Sequence, residues 1–351
     1  MIDRMRTISR FLFWAFLLMS LVFVGCLGSS EPASTPVAPA PTATTVPQQL
    51  TVYSGRSEIL MKPIIDKFIA NVGVEVAVKY GKTSEMVSTL LEERSKTPAD
   101  VFFAQDPGGL GAVESMFVPL SKETLRLVPA WAKSDKGVWV GISGRSRTVV
   151  YNTDKINVAD LPKTLNGFTD PKWNGRIGWA PRNGSFQTMI SAMRHLWGDE
   201  KTKGWLKSIA ANGAKEFSNN STQVVATDAG EIHIGLVNHY YLHRILAEKG
   251  TLKAKNYHLS EGGPGSFVMV AGAGILKTSS NSEAAQKFIN YMLSDEAQKY
   301  FAEKTYEYPM VSSVKISPEM APLEMVPSVP LSTLGDLKGT QAILRELGLI
   351  A

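Results

Sequence analysis

Apolar residues in this chain recur at two different periods, and the periods alternate. Residues 50–53 (Leu-Thr-Val-Tyr) form a short strand-like run, followed by the turn residues Ser54-Gly55-Arg56-Ser57. Residues 58–70 then show helical spacing at Ile59, Leu60, Ile64, Ile65, Phe68 and Ile69, with Pro63 early in the predicted helix. Residues 74–80 return to period two, with Val74, Val76 and Val78 on one face. A helix is predicted over 84–93, with Met86, Val87, Leu90 and Leu91 inward, and a buried strand over 100–104. Two further strands are predicted over 138–143 and 147–151. A strand–helix–strand–helix–strand start predicts an α/β protein with a largely parallel sheet flanked by helices.

The same alternation resumes in a second unit. A strand over 176–180 is followed by Arg182-Asn183-Gly184 and a helix over 185–197. Helices over 201–212 and 221–229 precede an apolar strand beginning at Ile232, and the next helix opens with adjacent tyrosines. Gly262-Gly263-Pro264-Gly265 breaks the pattern and lacks the Lys-Ser/Thr that would make it a phosphate loop. An apolar strand over 266–276 is expected to run back into the first unit, followed by helices over 283–293, 295–304 and 341–347. Residues 143–148 and 263–269 are then the two crossings between lobes. Lobe 1 is residues 50–145 and 266–351, and lobe 2 is residues 146–265. A chain that leaves one lobe, builds another and returns makes a cleft that closes by hinge motion.

The first residues have the composition of a targeting segment. Arg4, Arg6 and Arg10 precede an apolar run from Phe11 to Val24, too short for an ordinary membrane span and suited to a signal-peptide core over 1–25. The single cysteine, Cys26, directly follows Phe23-Val24-Gly25, which resembles a bacterial lipoprotein box with phenylalanine in place of the usual leucine. The expectation is cleavage and acylation at Cys26; the alternatives are plain cleavage or one uncleaved membrane helix. Residues 26–49 are rich in Ala, Pro, Thr and Ser, too poor in large apolar side chains to build a core, and read as a disordered tether. The net charge of +5 includes +2 from the three arginines and one aspartate of the leader, leaving +3 for the rest. That mild excess, without basic runs interleaved with aromatics, argues against nucleic acid as a partner.

The most informative chemistry is Asn238-His239-Tyr240-Tyr241, at the predicted junction of a buried strand and a helix. α/β proteins place ligand sites at such junctions. Two phenolates there would offer hard oxygen anions to a trivalent cation. Consecutive helical residues point about 100° apart, so both rings reach one ion only at a helix start or in a loop. Periodicity alone favours one tyrosine in the core and one on the surface. Donors for an anion are at hand in Asn183, Gly184 and Ser185 at a predicted helix start, where free N–H groups and the dipole favour negative charge. Arg56, Arg145 and Arg147 are cationic candidates, with a structural ion pair an equal reading for the last two. His239 and His243 have divalent-metal spacing but are more simply solvated side chains or neighbours of a helix cap. No Gly-x-Ser-x-Gly elbow or His-Glu-x-x-His helix occurs, which argues against a hydrolase.

Five blocks in order carry a family resemblance. They are Thr51-Val52-Tyr53-Ser54-Gly55-Arg56, residues 96–103 (Lys-Thr-Pro-Ala-Asp-Val-Phe-Phe), residues 143–151, Asn238-His239-Tyr240-Tyr241 and Glu307-Tyr308-Pro309. Together they resemble the ferric-iron-binding proteins of ABC importers, which are class II extracytoplasmic solute-binding proteins. The resemblance spans nearly all of residues 50–350. It implies a type II periplasmic-binding-protein-like fold, no enzymatic activity, and Fe(III) as cargo in the interlobe cleft. It reverses the periodicity reading of the tyrosines, making Tyr240 and Tyr241 phenolate ligands. It also implies a synergistic anion such as carbonate or bicarbonate, and an ABC permease and ATPase as partners; a monomer is expected, and acylation at Cys26 makes the expected location extracytoplasmic and lipid-anchored. Three optional ligand positions of the family depart here, at Ser57, at Gln105 and in Asn183-Gly184-Ser185-Phe186. Tyr53 is then the best candidate for a third phenolate, with Glu58 weaker. The alternative is the same fold with a non-metal solute such as an oxyanion, a polyamine or thiamine.

Overall fold

The computed structural model of the protein describes residues 49–261, 263–318, 320–322 and 329–351. The expected leader, Cys26 and all but the last residue of the tether lie outside the described residues. The strands are β1 (Gln49–Ser54), β2 (Glu75–Tyr80), β3 (Val101–Ala104), β4 (Val140–Asn152), β5 (Ile177–Trp179), β6 (Lys215–Glu216), β7 (Ile234–Asn238), β8 (Ala254–Tyr257), β9 (Val268–Ile275) and β10 (Tyr308–Pro309). They run in the order β2-β1-β3-β9-β4-β7-β5-β6, with β8 and β10 also on β4.

The first half of the sheet follows the predicted pattern. β1 pairs in parallel with both β2 and β3, and helix Glu58–Val72 returns the chain between β1 and β2. That helix buries Leu60, Met61, Ile64, Ile65 and Phe68 and stops at Gly73, which adopts φ 72° as only glycine readily does. Ile59, counted inward on periodicity, is 70% exposed at the first turn. Val76 and Val78 are half-buried, because β2 is an edge strand.

The two halves of the sheet share β4, which is where the sequence expectation of two separate strands fails. β4 is one strand of 13 residues. Its amino-terminal part pairs with β9, from Val140↔Ala273 to Ser146↔Val268. Its carboxyl-terminal part pairs with β7, from Arg147↔Asn238 to Tyr151↔Ile234, and with β8. Gly144-Arg145-Ser146 stays extended because β9 continues alongside it and β10 adds Tyr308↔Gly144 on the other side. The return crossing lies beside it: the Arg147 amide donates to the Phe267 carbonyl at 3.1 Å, just before β9.

The chain's end also departs from expectation. The terminal helix is Leu337–Glu346, and it packs on helices that follow β5 rather than on the first half of the sheet. Ser191 and Thr340 share a hydrogen bond of 2.7 Å, Arg194 pairs with Asp336 at 3.0 Å, and Lys203 pairs with Glu346 at 2.9 Å. The cause is an amphipathic face, Leu337, Thr340, Ile343 and Leu344, that needs an apolar partner. Before it, the turn Leu331–Gly335 crosses the short helix Pro107–Ala112 so closely that a Cβ on Gly111 would lie 2.7 Å from the Gly335 Cα. The terminal segment therefore touches both halves of the molecule.

Candidate functional site

β7 ends at Asn238, and after the single residue His239 the helix Tyr240–Lys249 begins. The strand-to-helix change puts Tyr240 at the first helical position, the one place where consecutive side chains can lie side by side. The two tyrosine rings stack with centroids 4.2 Å apart and planes 28° from parallel. Tyr240 is wholly buried, and its hydroxyl has no hydrogen-bond partner. Tyr241 is half-buried. Burial and then Tyr241 hold the Tyr240 phenol well above the usual tyrosine range, while Arg145 and Arg56 act in the opposite sense. A buried phenol without a partner is costly, so this hydroxyl marks a position built for something else.

Behind the tyrosines lies a sealed set of charges. Arg56 follows β1 and pairs with Glu307 at 2.8 Å, both wholly buried. Glu307 also accepts from Thr305 at 2.8 Å and from Ser143 at 3.2 Å, and the Arg145 Nε lies 3.9 Å away. Arg145 extends to the Ser185 hydroxyl at 3.3 Å. Two residues along β4 on the same face, Arg147 donates to the Asn238 side chain and the Leu236 carbonyl, each at 2.9 Å. Burial and Arg145 push the Arg147 guanidinium down to about 9, still cationic at neutral pH. Arg147 thus holds the β4–β7 junction, whereas Arg145 faces the tyrosines, Glu307 and Ser185.

Asn183 caps the helix Gly184–Trp197 by accepting from the Ser185 amide at 3.1 Å. The Ser185 hydroxyl accepts from Arg145, from Asn238 Nδ2 at 3.2 Å and from Gln105 Nε2 at 3.4 Å. The structure therefore brings Tyr240, Tyr241, Arg56, Arg145, Asn183, Gly184 and Ser185 into one neighbourhood around the β4 crossing.

Tyr53 and Glu58 are placed elsewhere. The Tyr53 hydroxyl donates to Glu93 at 3.0 Å, and Lys79 sits 4.7 Å over its ring. Glu93 ends the helix Thr83–Glu93, which starts near the carboxyl ends of β1 and β2 and runs back toward their amino ends. The Tyr53 phenol is thereby drawn away from the site. Glu58 is exposed at the start of its helix, and its charge acts on Tyr80, whose phenol burial pushes up to about 12. Two residues of the neighbourhood were not singled out from sequence. Glu307 stood only in a resemblance block, and Asp106 carried only the Asp-Pro signal of a helix cap. Among the described residues, no group of three or more His, Cys, Asp or Glu is placed to hold a metal ion.

A two-lobed α/β sheet joined by crossing strands, with a buried polar cluster at the crossing, defines a solute-binding protein of the periplasmic type II class. Residues 96–328 match the family of bacterial extracellular solute-binding proteins. The chain is 33% identical over 323 residues to the major ferric iron-binding protein of Neisseria meningitidis serogroup B, covering 88% of this chain and 95% of that one. It is 30% identical over 352 residues to iron uptake protein A1 of Synechocystis, covering 97% and 94%. Its fold is similar to that of iron-bound HitA from Pseudomonas aeruginosa, with TM-score 0.83 and 32% identity over 86% of this chain and 100% of that one. The chain belongs to the bacterial extracellular solute-binding protein family and is a binding protein, not an enzyme.

Proposed function

We propose that this protein captures Fe(III) outside the cytoplasm in its interlobe cleft and delivers it to the permease and ATPase of an ABC importer. The observation that carries this is the Tyr240–Tyr241 stack at a helix start, with a buried, unpartnered Tyr240 hydroxyl. The iron-binding names of the relatives support the same cargo. Fe(III) is a hard cation and prefers phenolate oxygen. Its charge stabilises the deprotonated phenols, so loading releases protons and acid reverses it. The cation prefers the closed arrangement, because only there do groups from both lobes meet. Lobe 1 comprises residues 50–145 and the chain from 266, and lobe 2 residues 146–265, with the terminal helix lying on lobe 2. Cys26 carries the lipid, and residues 26–49 tether the folded part to the membrane.

The donors that a carbonate or bicarbonate ion would need, Arg145 and the Gly184 helix start, lie beside the Asp106 carboxyl group. The three buried arginines also favour one second reading, an oxyanion as the sole cargo. One titration separates the two. Protein from residue 27 onward is titrated with ferric citrate while the visible phenolate-to-iron charge-transfer band is followed. A stoichiometric coloured complex, absent from the Tyr240→Phe, Tyr241→Phe variant, is the expected result. A colourless wild type that is nevertheless stabilised by oxyanions would replace iron with the second reading.

A further inference from the structure

Asp106 follows β3 in the first half of the sheet, and its carboxylate reaches the start of helix Gly184–Trp197 in the second half. It is 2% exposed. One oxygen, Oδ1, caps the helix Pro107–Ala112 by accepting from the Gly109 amide at 3.0 Å. The other, Oδ2, makes no hydrogen bond of good geometry, although the Thr188 hydroxyl and the Gly108 amide lie close enough to the carboxyl to favour its charged form. It points at Gly184 so closely that a Cβ there would lie 3.1 Å away, so the glycine is what lets the carboxylate approach. A buried carboxylate oxygen without a donor costs more than a surface one, and the surroundings show what offsets it.

The neighbourhood has a surplus of donors. Arg145, Asn238 and Gln105 all point at the Ser185 hydroxyl, which has only two lone pairs. The Arg145 Nε lacks a hydrogen bond, and its carboxylate partner Glu307 is 3.9 Å away. The helix start adds partial positive charge. These are the features of a place that binds negative charge, and the acidic group already there is Asp106. Burial holds the Asp106 carboxyl above the usual carboxylate range, and Arg145 leads the groups that act against it. An added anion at the same helix start would sit against Oδ2 and be repelled.

Resting on the Fe(III) reading above, we propose that Asp106 is a built-in anion. It takes the place at the Gly184 helix start that a dissolved anion would otherwise fill, so the iron complex forms without added bicarbonate or phosphate. Asp106 is thus a residue that determines anion dependence, acting through Arg145 and the helix start rather than on the metal.

The test is Asp106→Asn, which keeps a good helix cap and removes the charge. Iron is supplied as ferrous chloride oxidised in CO2-free air in chloride buffer, and the charge-transfer band is followed before and after adding bicarbonate or phosphate. Wild type is expected to bind without the added anion. The variant is expected to bind at least about tenfold more weakly until the anion is supplied. A second measurement needs no iron: inorganic phosphate should raise the melting temperature of the iron-free variant and leave that of wild type unchanged. The proposal is overturned if wild type needs the anion as much as the variant does, if added anion does not strengthen the variant's binding, or if phosphate stabilises both or neither. A band absent from both proteins under all conditions, with the phosphate effect intact, would count against the iron reading and leave the anion role of Asp106 standing.

Discussion

At the residue scale the site depends on Glu307, the carboxylate shared by Arg56 and Arg145. Removing one partner of a buried pair strands the other charge without solvent. Glu307→Gln should therefore cost about 3–5 kcal/mol, read as a lower urea midpoint with an unchanged slope. A loss under 1 kcal/mol would mean the guanidiniums find other acceptors. The tyrosine pair was legible from sequence because its members are adjacent and follow a recognisable strand. Glu307 was not, because its role comes from an arginine 251 residues away that no local pattern connects to it. The partner of Tyr53 was illegible for a related reason. Strand position says that Tyr53 is buried, but its hydroxyl went to a carboxylate at the end of the following helix.

At the scale of elements, most helices and strands began within a few residues of where apolar spacing put them. The exceptions are instructive. Glycine and charge at 144–147 read as a break, yet pairing on both sides keeps β4 whole through the crossing. The terminal helix was legible as a helix, but its partner was not, because an apolar face does not name the surface that will cover it. That segment offers a direct test at its tightest point, where Gly335 passes over Gly111. A methyl there must push two backbones apart, so Gly111→Ala should lower stability by about 1–3 kcal/mol. Differential scanning calorimetry would show the drop, and Gly204→Ala, on an open helix surface, should show none.

Across the whole molecule, the folded state keeps several imidazoles neutral. Burial, then His243 and His258, hold His239 well below the usual histidine range, while its Nδ1 accepts from the Ser146 amide at 3.2 Å. Burial and His243 lower His258 as well. Lowered values mean that the unfolded chain takes up more protons than the native one once the pH falls below about 6.5. Stability is thus full above that range and declines as acid is added. The iron-free melting temperature should fall between pH 7 and pH 5, and His239→Gln should flatten the fall. A pH-independent melting curve over that interval would contradict these assignments.

The polarity of β1 also dictates how the protein ought to be handled on a surface. Arg56, Gln105 and Asp106 all follow the carboxyl ends of parallel strands, whereas Gln49 opens β1 at its amino end, the far end of a six-residue strand. A strand of that length spans roughly 20 Å. Immobilised on a biosensor chip through a tag placed directly before Gln49, the folded part would present the edge that carries Arg56, Gln105 and Asp106 to the flow. Immobilised through Ala351, it would be held by the very segment that touches both halves of the molecule, and the chip would load those contacts.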